Sequence, residues 1–244
     1  MGTVIAVTSG KGGTGKTSVT GGVAAWLALM GRSVLCIDMD IGLRNLDISL
    51  GLNDRALMDF SDVALGRCPL ARAAVDHPTL KGLALLTAPM SLPASLTPDK
   101  VRAMLDTART MYDYVLIDSP AGLGAGFRLA TCGADRVLVV STNDASSLRD
   151  AQRTVAELGH IRQVHLIMNR IQVKLLRKLR ATIDDAMNTA GLPLVGVIPE
   201  DPQVILCANL GQPLTTRGQR GAALACRNIA LRLEGDHIPI MRIR

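Results

Sequence analysis

One segment near the start of the chain has the residue types and the spacing of a phosphate-binding loop. It runs from Gly10 to Thr17 (GKGGTGKT), follows the apolar run Val4–Val7 and matches G-x-x-x-x-G-K-[ST] between an expected strand and an expected helix. Its glycines allow successive backbone N–H groups to point into one concave nest, and the positive end of the following helix strengthens that field. The segment predicts a polyphosphate site, with Lys16 on the β and γ phosphates and the Thr17 hydroxyl facing Mg²⁺.

A second lysine, Lys11, lies inside the same loop. An ordinary phosphate loop does not require a cation there. Because this lysine cannot easily fold back onto its own phosphates, we expect it to reach those of a partner subunit. A chance match to the motif is the alternative, and it is disfavoured because every constrained position is filled and the flanking elements are right.

Carboxylates end two further apolar runs. Ser33–Asp38 is followed by Met39-Asp40, and Tyr114–Asp118 has the same form. Ligands of an open parallel sheet bind beyond the carboxyl ends of its strands, so both runs should deliver their aspartates to the edge that carries the phosphate loop. Carboxylates there suit Mg²⁺, which takes oxygen ligands and keeps several waters. A helix cap is the alternative role of any single aspartate, but it does not explain both strand ends together.

Composition narrows the class of protein. The 244 residues suit one α/β domain spanning 1–244, and the 2% aromatic content is too low for a base-stacking surface. The net charge of +6 permits an acidic partner surface without identifying one. The five cysteines are odd in number and form no CxxC, which favours a reducing cytosol over a disulfide framework or structural zinc. We expect no signal peptide, since the first strand begins at once, and no apolar run approaches the ~18 residues of a membrane span.

Short apolar runs alternate with helical segments along the whole chain. Seven strands are predicted near residues 3–8, 34–38, 83–87, 114–118, 136–141, 164–168 and 195–198. This rhythm predicts a doubly wound, mostly parallel α/β sheet with helices on both faces. Residues 88–99 are predicted to form a surface loop. Residues 172–190 are predicted to form one basic amphipathic helix, more plausibly a crossover helix packed on the sheet than a membrane or DNA contact.

Several segments together resemble the ParA/MinD family of ATPases, whose phosphate loop is a deviant Walker A motif with Lys11 as its signature lysine. The segment Asp38–Asp47 (DMDIGLRNLD) is typical of the MinD branch, and Asp118–Gly122 is similar to its Walker B region. Ser146–Asp150 and Val197–Asp201 follow the same pattern, so the resemblance covers about residues 3–235 in order and spacing. The chain departs from the family at Thr14, where Val or Ile is usual, and at Asn143-Asp144, where a Pro-Glu pair is usual.

The resemblance implies an ATPase that uses ATP and Mg²⁺, forms a homodimer with ATP and recruits a division inhibitor of the MinC type to position the septum. Catalytic roles fall to Lys11, Lys16 and Asp40, and the metal is held by Thr17, Asp38 and Asp118. Nucleotide contacts fall to Lys11, Gly12, Gly13, Thr14, Gly15, Lys16, Thr17 and Ser18, with Asn169, Pro199 and Asp201 at the adenine. Partner docking falls to Ser147, Arg149 and Asp150.

Alternative functions remain at this point. A flagellum-placement ATPase of the FlhG type shares the motifs, and a ParA-type partition adaptor would bind DNA non-specifically, so no sequence-specific nucleic acid is expected. An iron–sulfur carrier is disfavoured because no CxxC occurs, and an idle scaffold does not explain why Lys11, Lys16, Asp40 and Asp118 are all present. We expect a cytoplasmic protein, peripheral at the inner face of the membrane at most. The tail 235–244 is short and broken by Pro239, so lipid binding through it should be weak.

Overall fold

A mostly parallel sheet forms the centre of the computed structural model, which describes residues 1–53 and 55–241. Its strands are β1 (Thr3–Thr8), β2 (Val34–Asp38), β3 (Val75–Asp76), β4 (Leu83–Leu86), β5 (Tyr114–Asp118), β6 (Arg136–Ser141), β7 (Gln163–Ile171) and β8 (Leu194–Pro199). In this described part, the eight strands follow the order β3-β4-β2-β5-β1-β6-β7-β8. Only the pair β3–β4 is antiparallel among them. The carboxyl ends of the parallel strands therefore share one edge of the sheet.

Helices connect these strands on both faces. They are α1 (Lys16–Leu29), α2 (Asn45–Leu50), α3 (Phe60–Ala64), α4 (Leu70–Ala73), α5 (Pro98–Met111), α6 (Ala125–Thr131), α7 (Ala145–Glu157), α8 (Val173–Leu179), α9 (Ile183–Ala190), α10 (Pro202–Asn209) and α11 (Gly221–Leu233), with a 3₁₀ turn at Leu214–Arg217. The helices α1 and α11 bury residues in one hydrophobic cluster, whereas α5, α7 and α9 bury residues in the other. The predicted doubly wound α/β architecture is confirmed.

The central strands are apolar on both faces because each face meets its own cluster. Along β1, Val4 and Ala6 belong to the cluster under α5 and α7, while Ile5 and Val7 belong to the cluster under α1 and α11. This alternation follows from the two-residue period of a strand. A strand buried in this way reads as a continuous apolar run, which is the pattern that made the strands recognisable in the sequence.

All seven predicted strands are present, and the sequence analysis missed one short strand. β3 has two residues and includes the exposed Asp76, so it is too short to show a period. The loop predicted over residues 88–99 ends before residue 99 in the structure, because Thr97 caps α5 and Pro98 is the first residue of that helix. Proline suits the first turn of a helix, where its missing N–H is not needed.

The prediction of one helix over residues 172–190 is wrong. Arg180 has a left-handed φ of 51° after α8, and a capping box between Thr182 and Asp185 begins α9 as a separate helix. Packing on the sheet holds only in part: Leu176 is partly buried against the core, but Leu175 and Leu179 are 40% and 55% exposed. The short helix α8 therefore presents apolar and cationic side chains to solvent together.

The segment after α11 lies along the edge strand β8. The Arg232 guanidinium donates to the carbonyls of Ile238 and Pro239 at 3.0 and 2.7 Å, and to the carbonyl of Val195 in β8 at 2.8 Å. The prediction for the tail 235–244 lies partly outside the described residues, which end at 241. Among the described helices, none combines the length and the apolarity that crossing a bilayer requires.

A buried histidine joins the end of α2 to the turn before β4. The Nδ1 atom of His77 accepts the N–H groups of Thr79 and Leu80 at 3.2 and 3.0 Å, so the proton lies on Nε2, which donates to the Leu50 carbonyl at 2.9 Å. Burial is the main cause that lowers the pKa of His77. The neutral ring satisfies all three contacts, whereas a protonated ring would lose its acceptor.

We predict that acidification weakens the fold through His77. Its pKa is lower in the folded chain than the ordinary value of about 6.5, so its contribution is present above that pH and is lost as the pH falls through the folded pKa. Denaturant unfolding between pH 7.5 and 5.5 tests this. His77→Gln should cost about 1–3 kcal/mol at pH 7.5 and show a shallower loss on acidification than the wild type. Exposed His160→Gln is the control, and an equal pH slope in all three proteins would contradict the prediction.

Candidate nucleotide-binding site

The predicted phosphate loop lies between the carboxyl end of β1 and the start of α1. Gly13 and Gly15 have φ of 80° and 90°, a left-handed conformation that is open to glycine and strained for other residues. The Ser9 hydroxyl donates to the Lys11 carbonyl at 2.6 Å. The backbone thus has the curl that a nest of N–H donors requires.

Lys16 begins α1 and is buried at the base of the loop. The residue is only 7% exposed to solvent. Burial lowers the pKa of Lys16, while the charges of Asp118 and Asp40 oppose that change. A buried ammonium with two carboxylates around it is strongly positioned, as contact with β and γ phosphates requires.

Asp38 and Asp118 lie side by side at the ends of β2 and β5. They are register partners in the parallel ladder, and each is 1% exposed. Burial raises the pKa of Asp38 to about 6 and that of Asp118 to about 8. A cation bound at this edge would favour the charged forms of both.

The donor set around Asp118 fits Mg²⁺. The nearby Thr17 hydroxyl acts to lower the pKa of Asp118, and within the described part of the chain its Oδ1 atom is buried without a hydrogen-bond partner. An orphaned carboxylate oxygen beside a hydroxyl supplies the hard oxygen ligands that Mg²⁺ accepts. Among residues 1–53 and 55–241, no group of three or more His, Cys, Asp and Glu could hold a metal alone. The remaining ligands would therefore be phosphate oxygens and water.

Asp38 organises the segment that follows β2. Its Oδ1 accepts the N–H of Asp40 at 2.9 Å, and its Oδ2 accepts the N–H of Leu46 at 3.1 Å. The carboxylate thereby folds residues 40–46 into a turn and sets the position of Asp40. Asp40 is half-buried, and burial raises its pKa against the opposing charge of Lys16. The predicted contact of Asp38 with the metal stays a prediction.

A cavity of about 190 Å³ continues from the phosphate loop and is lined by all three predicted adenine residues, Asn169, Pro199 and Asp201. Asn169 is 6% exposed and donates its Nδ2 to the Thr14 carbonyl at 2.7 Å. The carboxylate of Asp201 accepts hydrogen bonds from the N–H groups of Gln203 and Ala222, both at 2.9 Å. The side chains of Asn169 and Asp201 thus support backbone, and a base contact by Asp201 would fall to its main chain.

Lys11 extends to α7 instead of the loop interior. Its Nζ atom lies 2.9 Å from both the Asp144 carboxylate and the Ser146 hydroxyl. Burial opposes the ionisation of Asp144, but hydrogen bonds from Ser146, Thr142 and Lys11 outweigh it and hold its pKa well below the usual range. Asp144 therefore carries a full charge for Lys11 at neutral pH.

The predicted partner-docking residues do not share one surface. Ser147 is 3% exposed, and its hydroxyl contacts Ser141 and the N–H of Thr142 at 3.2 Å. Its side chain therefore lies inside the fold in the single chain, and its docking role stays a prediction. Arg149 is exposed and Asp150 is half-buried, so both can still meet a partner.

Two positions that contact the phosphate loop or Lys11 escaped the sequence analysis. Arg170 donates to the Gly13 carbonyl at 3.2 Å and pairs with Glu200 at 3.0 Å. Asp144 was noted only as a departure from the family pattern, yet it is the partner of Lys11. The N-cap pattern of Asp144 before α7 was readable in the sequence, whereas no spacing indicated that Arg170 would reach the loop.

Comparisons with known proteins agree with this geometry. Residues 5–214 match the family described as the CobQ/CobB/MinD/ParA nucleotide binding domain. The septum site-determining protein MinD of Synechocystis sp. is 36% identical over 246 residues, covering 99% of this chain and 92% of that protein. The chain belongs to the MinD family. Its nucleotide-binding domain is therefore of the ParA/MinD class that the motifs indicated.

Solved structures of MinD proteins share the fold of this MinD family member. The MinD of the Aquifex aeolicus MinC:MinD cell division complex is 36% identical with a TM-score of 0.91, and the match covers 98% of both chains. A MinD from Pyrococcus horikoshii, complexed with Mg-ADP, is 28% identical with a TM-score of 0.83 over 96% of both chains.

We predict that Lys16→Ala removes nucleotide binding or turnover in this MinD family member. The substitution deletes the buried charge beside the phosphate loop, and losing such a preorganised contact costs on the order of 3–4 kcal/mol in the transition state. ATP binding by calorimetry and phosphate release measure the effect. Lys174→Ala, on exposed α8, is the control, and wild-type activity in Lys16→Ala would refute the assignment of the loop.

Proposed function

We propose that this chain is an ATP-hydrolysing switch that dimerises with ATP and positions the division septum by recruiting a division inhibitor of the MinC type. The observation that carries the proposal is the full-length likeness to a MinD protein in complex with MinC. The complete phosphate loop with both lysines supports the ATPase activity. The full-length relatives bear the septum-site name, so neither flagellum placement nor DNA partition is favoured.

Hydrolysis here would depend on position and charge rather than on covalent chemistry. Lys16 binds the β and γ phosphates, and the half-buried Asp40 accepts a hydrogen bond from the attacking water and orients it. Thr17, Asp38 and Asp118 would hold Mg²⁺, which would neutralise phosphate charge when it is bound. The products are ADP and phosphate.

Dimerisation would require Lys11 to exchange one set of partners for another. In the single chain it is held by Asp144 and Ser146, and to reach the phosphates of a second subunit it must leave both. The Lys11 and Asp144 side chains are 37% and 49% exposed, and a pair this exposed contributes only about 0–1 kcal/mol. A bound triphosphate carries several negative charges, so the exchange is favourable once a second subunit presents it.

Inhibitor docking would use the solvent side of α7. Arg149 and Asp150 remain available there, and Ser146 is exposed next to them. Because Ser146 also contacts Lys11, release of Lys11 on dimerisation changes the surface that the inhibitor meets. Docking of this kind would therefore follow the nucleotide state.

The cytoplasm is the proposed location, with peripheral contact at the inner face of the membrane made indirectly or weakly. The candidate surface is α8, where the exposed Leu175 and Leu179 lie among Lys174, Arg177 and Lys178. Each cation near an anionic lipid surface contributes about 1 kcal/mol, a term that salt screens.

We predict opposite effects for two substitutions in the site. Lys11→Ala should leave ATP binding to the monomer intact and prevent dimerisation, because the lysine acts across the interface. Asp40→Ala should bind ATP, hydrolyse it poorly and accumulate the dimer, because water positioning belongs to the chemical step. Size-exclusion chromatography with ATP, together with phosphate release, measures both. The assignment fails if Lys11→Ala weakens monomer affinity instead, or if Asp40→Ala stays monomeric while it binds ATP tightly.

The cellular role is tested by deleting the gene in its host. Loss of septum control should yield misplaced septa and anucleate minicells, and restoration should require the wild-type gene rather than the Lys16→Ala form. Normal septa with an altered number of flagella would support the flagellum-placement alternative. Normal septa with loss of DNA segregation would support the partition alternative.

A further inference from the structure

The C-terminal end of β7 contains a β-bulge that faces the phosphate loop. In the pairing with β8, Met168 is opposite Val197 and Ile171 is opposite Pro199, so β7 carries one residue more than its neighbour over this interval. Arg170 lies in this bulge with a left-handed φ of 56°, a conformation that is strained for a non-glycine residue. Bulges next to functional sites commonly re-aim side chains.

The bulge directs two consecutive side chains onto two consecutive carbonyls of the loop. Asn169 Nδ2 donates to the Thr14 carbonyl at 2.7 Å. Arg170 Nη1 donates to the Gly13 carbonyl at 3.2 Å. Without the extra residue, successive side chains would point to opposite faces of the sheet, and the two could not serve the same loop.

Peptide geometry links these carbonyls to the phosphate donors. A planar trans peptide holds its C=O and its N–H antiparallel, so fixing the Gly13 and Thr14 carbonyls outward turns the N–H groups of Thr14 and Gly15 inward. These are donors of the nest on which a polyphosphate would rest. We propose that Asn169 and Arg170 are positioning residues that orient the phosphate-loop donors, an inference that rests on the proposed nucleotide-binding function.

Close packing supports the part played by Asn169. A Cβ atom at Gly15 would lie 2.3 Å from Asn169 Nδ2, so the amide is seated directly against the loop backbone. The side chain is almost fully buried at 6% exposure. Both observations place Asn169 on the loop itself, whereas the family resemblance had placed it at the base.

Arg170 connects the loop to the other side of the cavity. Its Nε and Nη2 atoms lie 3.0 and 3.4 Å from the two carboxylate oxygens of Glu200. Glu200 stands between Pro199 and Asp201, and its N–H donates to the Ile171 carbonyl at 3.1 Å. The guanidinium thus joins the phosphate end of the site to the turn that borders the base end.

Binding of inorganic tripolyphosphate separates loop positioning from base recognition, because tripolyphosphate has no base. We would measure Kd for Mg-ATP, Mg-ADP and Mg-tripolyphosphate with the full chain. Asn169→Ala changes no charge and should weaken all three by a similar factor, on the order of 10-fold, as expected for one lost hydrogen bond and the donors it orients. Arg170→Gly removes both the contact and the left-handed strain and should weaken all three by about 3–10-fold.

Matched variants control for strain and charge. Arg180→Gly removes an arginine of the same left-handed conformation at the end of α8, and it should leave all three Kd values unchanged. Glu200→Gln removes the ion pair but not the Gly13 contact, and it should have a smaller effect than Arg170→Gly. Thermal unfolding without ligand confirms that each variant is folded.

Three outcomes would overturn this inference without affecting the proposed function. A variant that loses affinity for ATP but keeps it for tripolyphosphate would assign the residues to the base, and variants with unchanged affinity for all three ligands would leave them no role. Equal weakening by Arg180→Gly would also overturn it, since the loss would then follow charge. Failure of the wild-type protein to bind ATP would overturn the proposed function as well.

Discussion

Three ionisable groups buried at one edge of the sheet constrain everything around them. Lys16, Asp38 and Asp118 are all at most 7% exposed. Burial lowers the pKa of the lysine and raises the pKa of both aspartates, so it favours the neutral form of each group. Such charges are tolerated only when they face one another or a bound ion. The parallel sheet meets this requirement because it brings the ends of β1, β2 and β5 together. The loop, the turn after Asp38 and the fit to Mg²⁺ all follow from that convergence.

The two hydrophobic clusters keep this edge rigid. The strand that leads to the phosphate loop has one set of side chains in each cluster, so it cannot shift toward either face without breaking close packing. The helix that follows the loop is buried over most of its length. The loop therefore connects two fixed elements. Its conformation is set by three side-chain contacts, from the Ser9 hydroxyl, the Asn169 amide and the Arg170 guanidinium.

Much of this organisation could be predicted from the sequence because it is periodic or local. Continuous apolar runs predicted seven strands, and the spacing of Gly10–Thr17 predicted the loop. The features that were missed depend on tertiary placement. A two-residue strand has no period, and the bulge that turns Arg170 toward Gly13 leaves no mark in the spacing. The burial of Ser147 depends on how α7 packs. The break between α8 and α9 was readable from the Thr182–Asp185 capping pattern, but the basic and apolar periodicity across it concealed the boundary.

The absence of a side chain at Gly10 has a mechanical consequence. A Cβ atom there would lie 2.5 Å from both the Cβ and the carbonyl oxygen of Asp150 in α7, so the backbone of the loop and the body of that helix touch directly. Gly10 contributes no side chain to this contact, so no flexible group of its own separates the loop backbone from the helix. A displacement of α7 would therefore press directly on the backbone of the loop. In the same way, a movement of the loop backbone would press directly on α7.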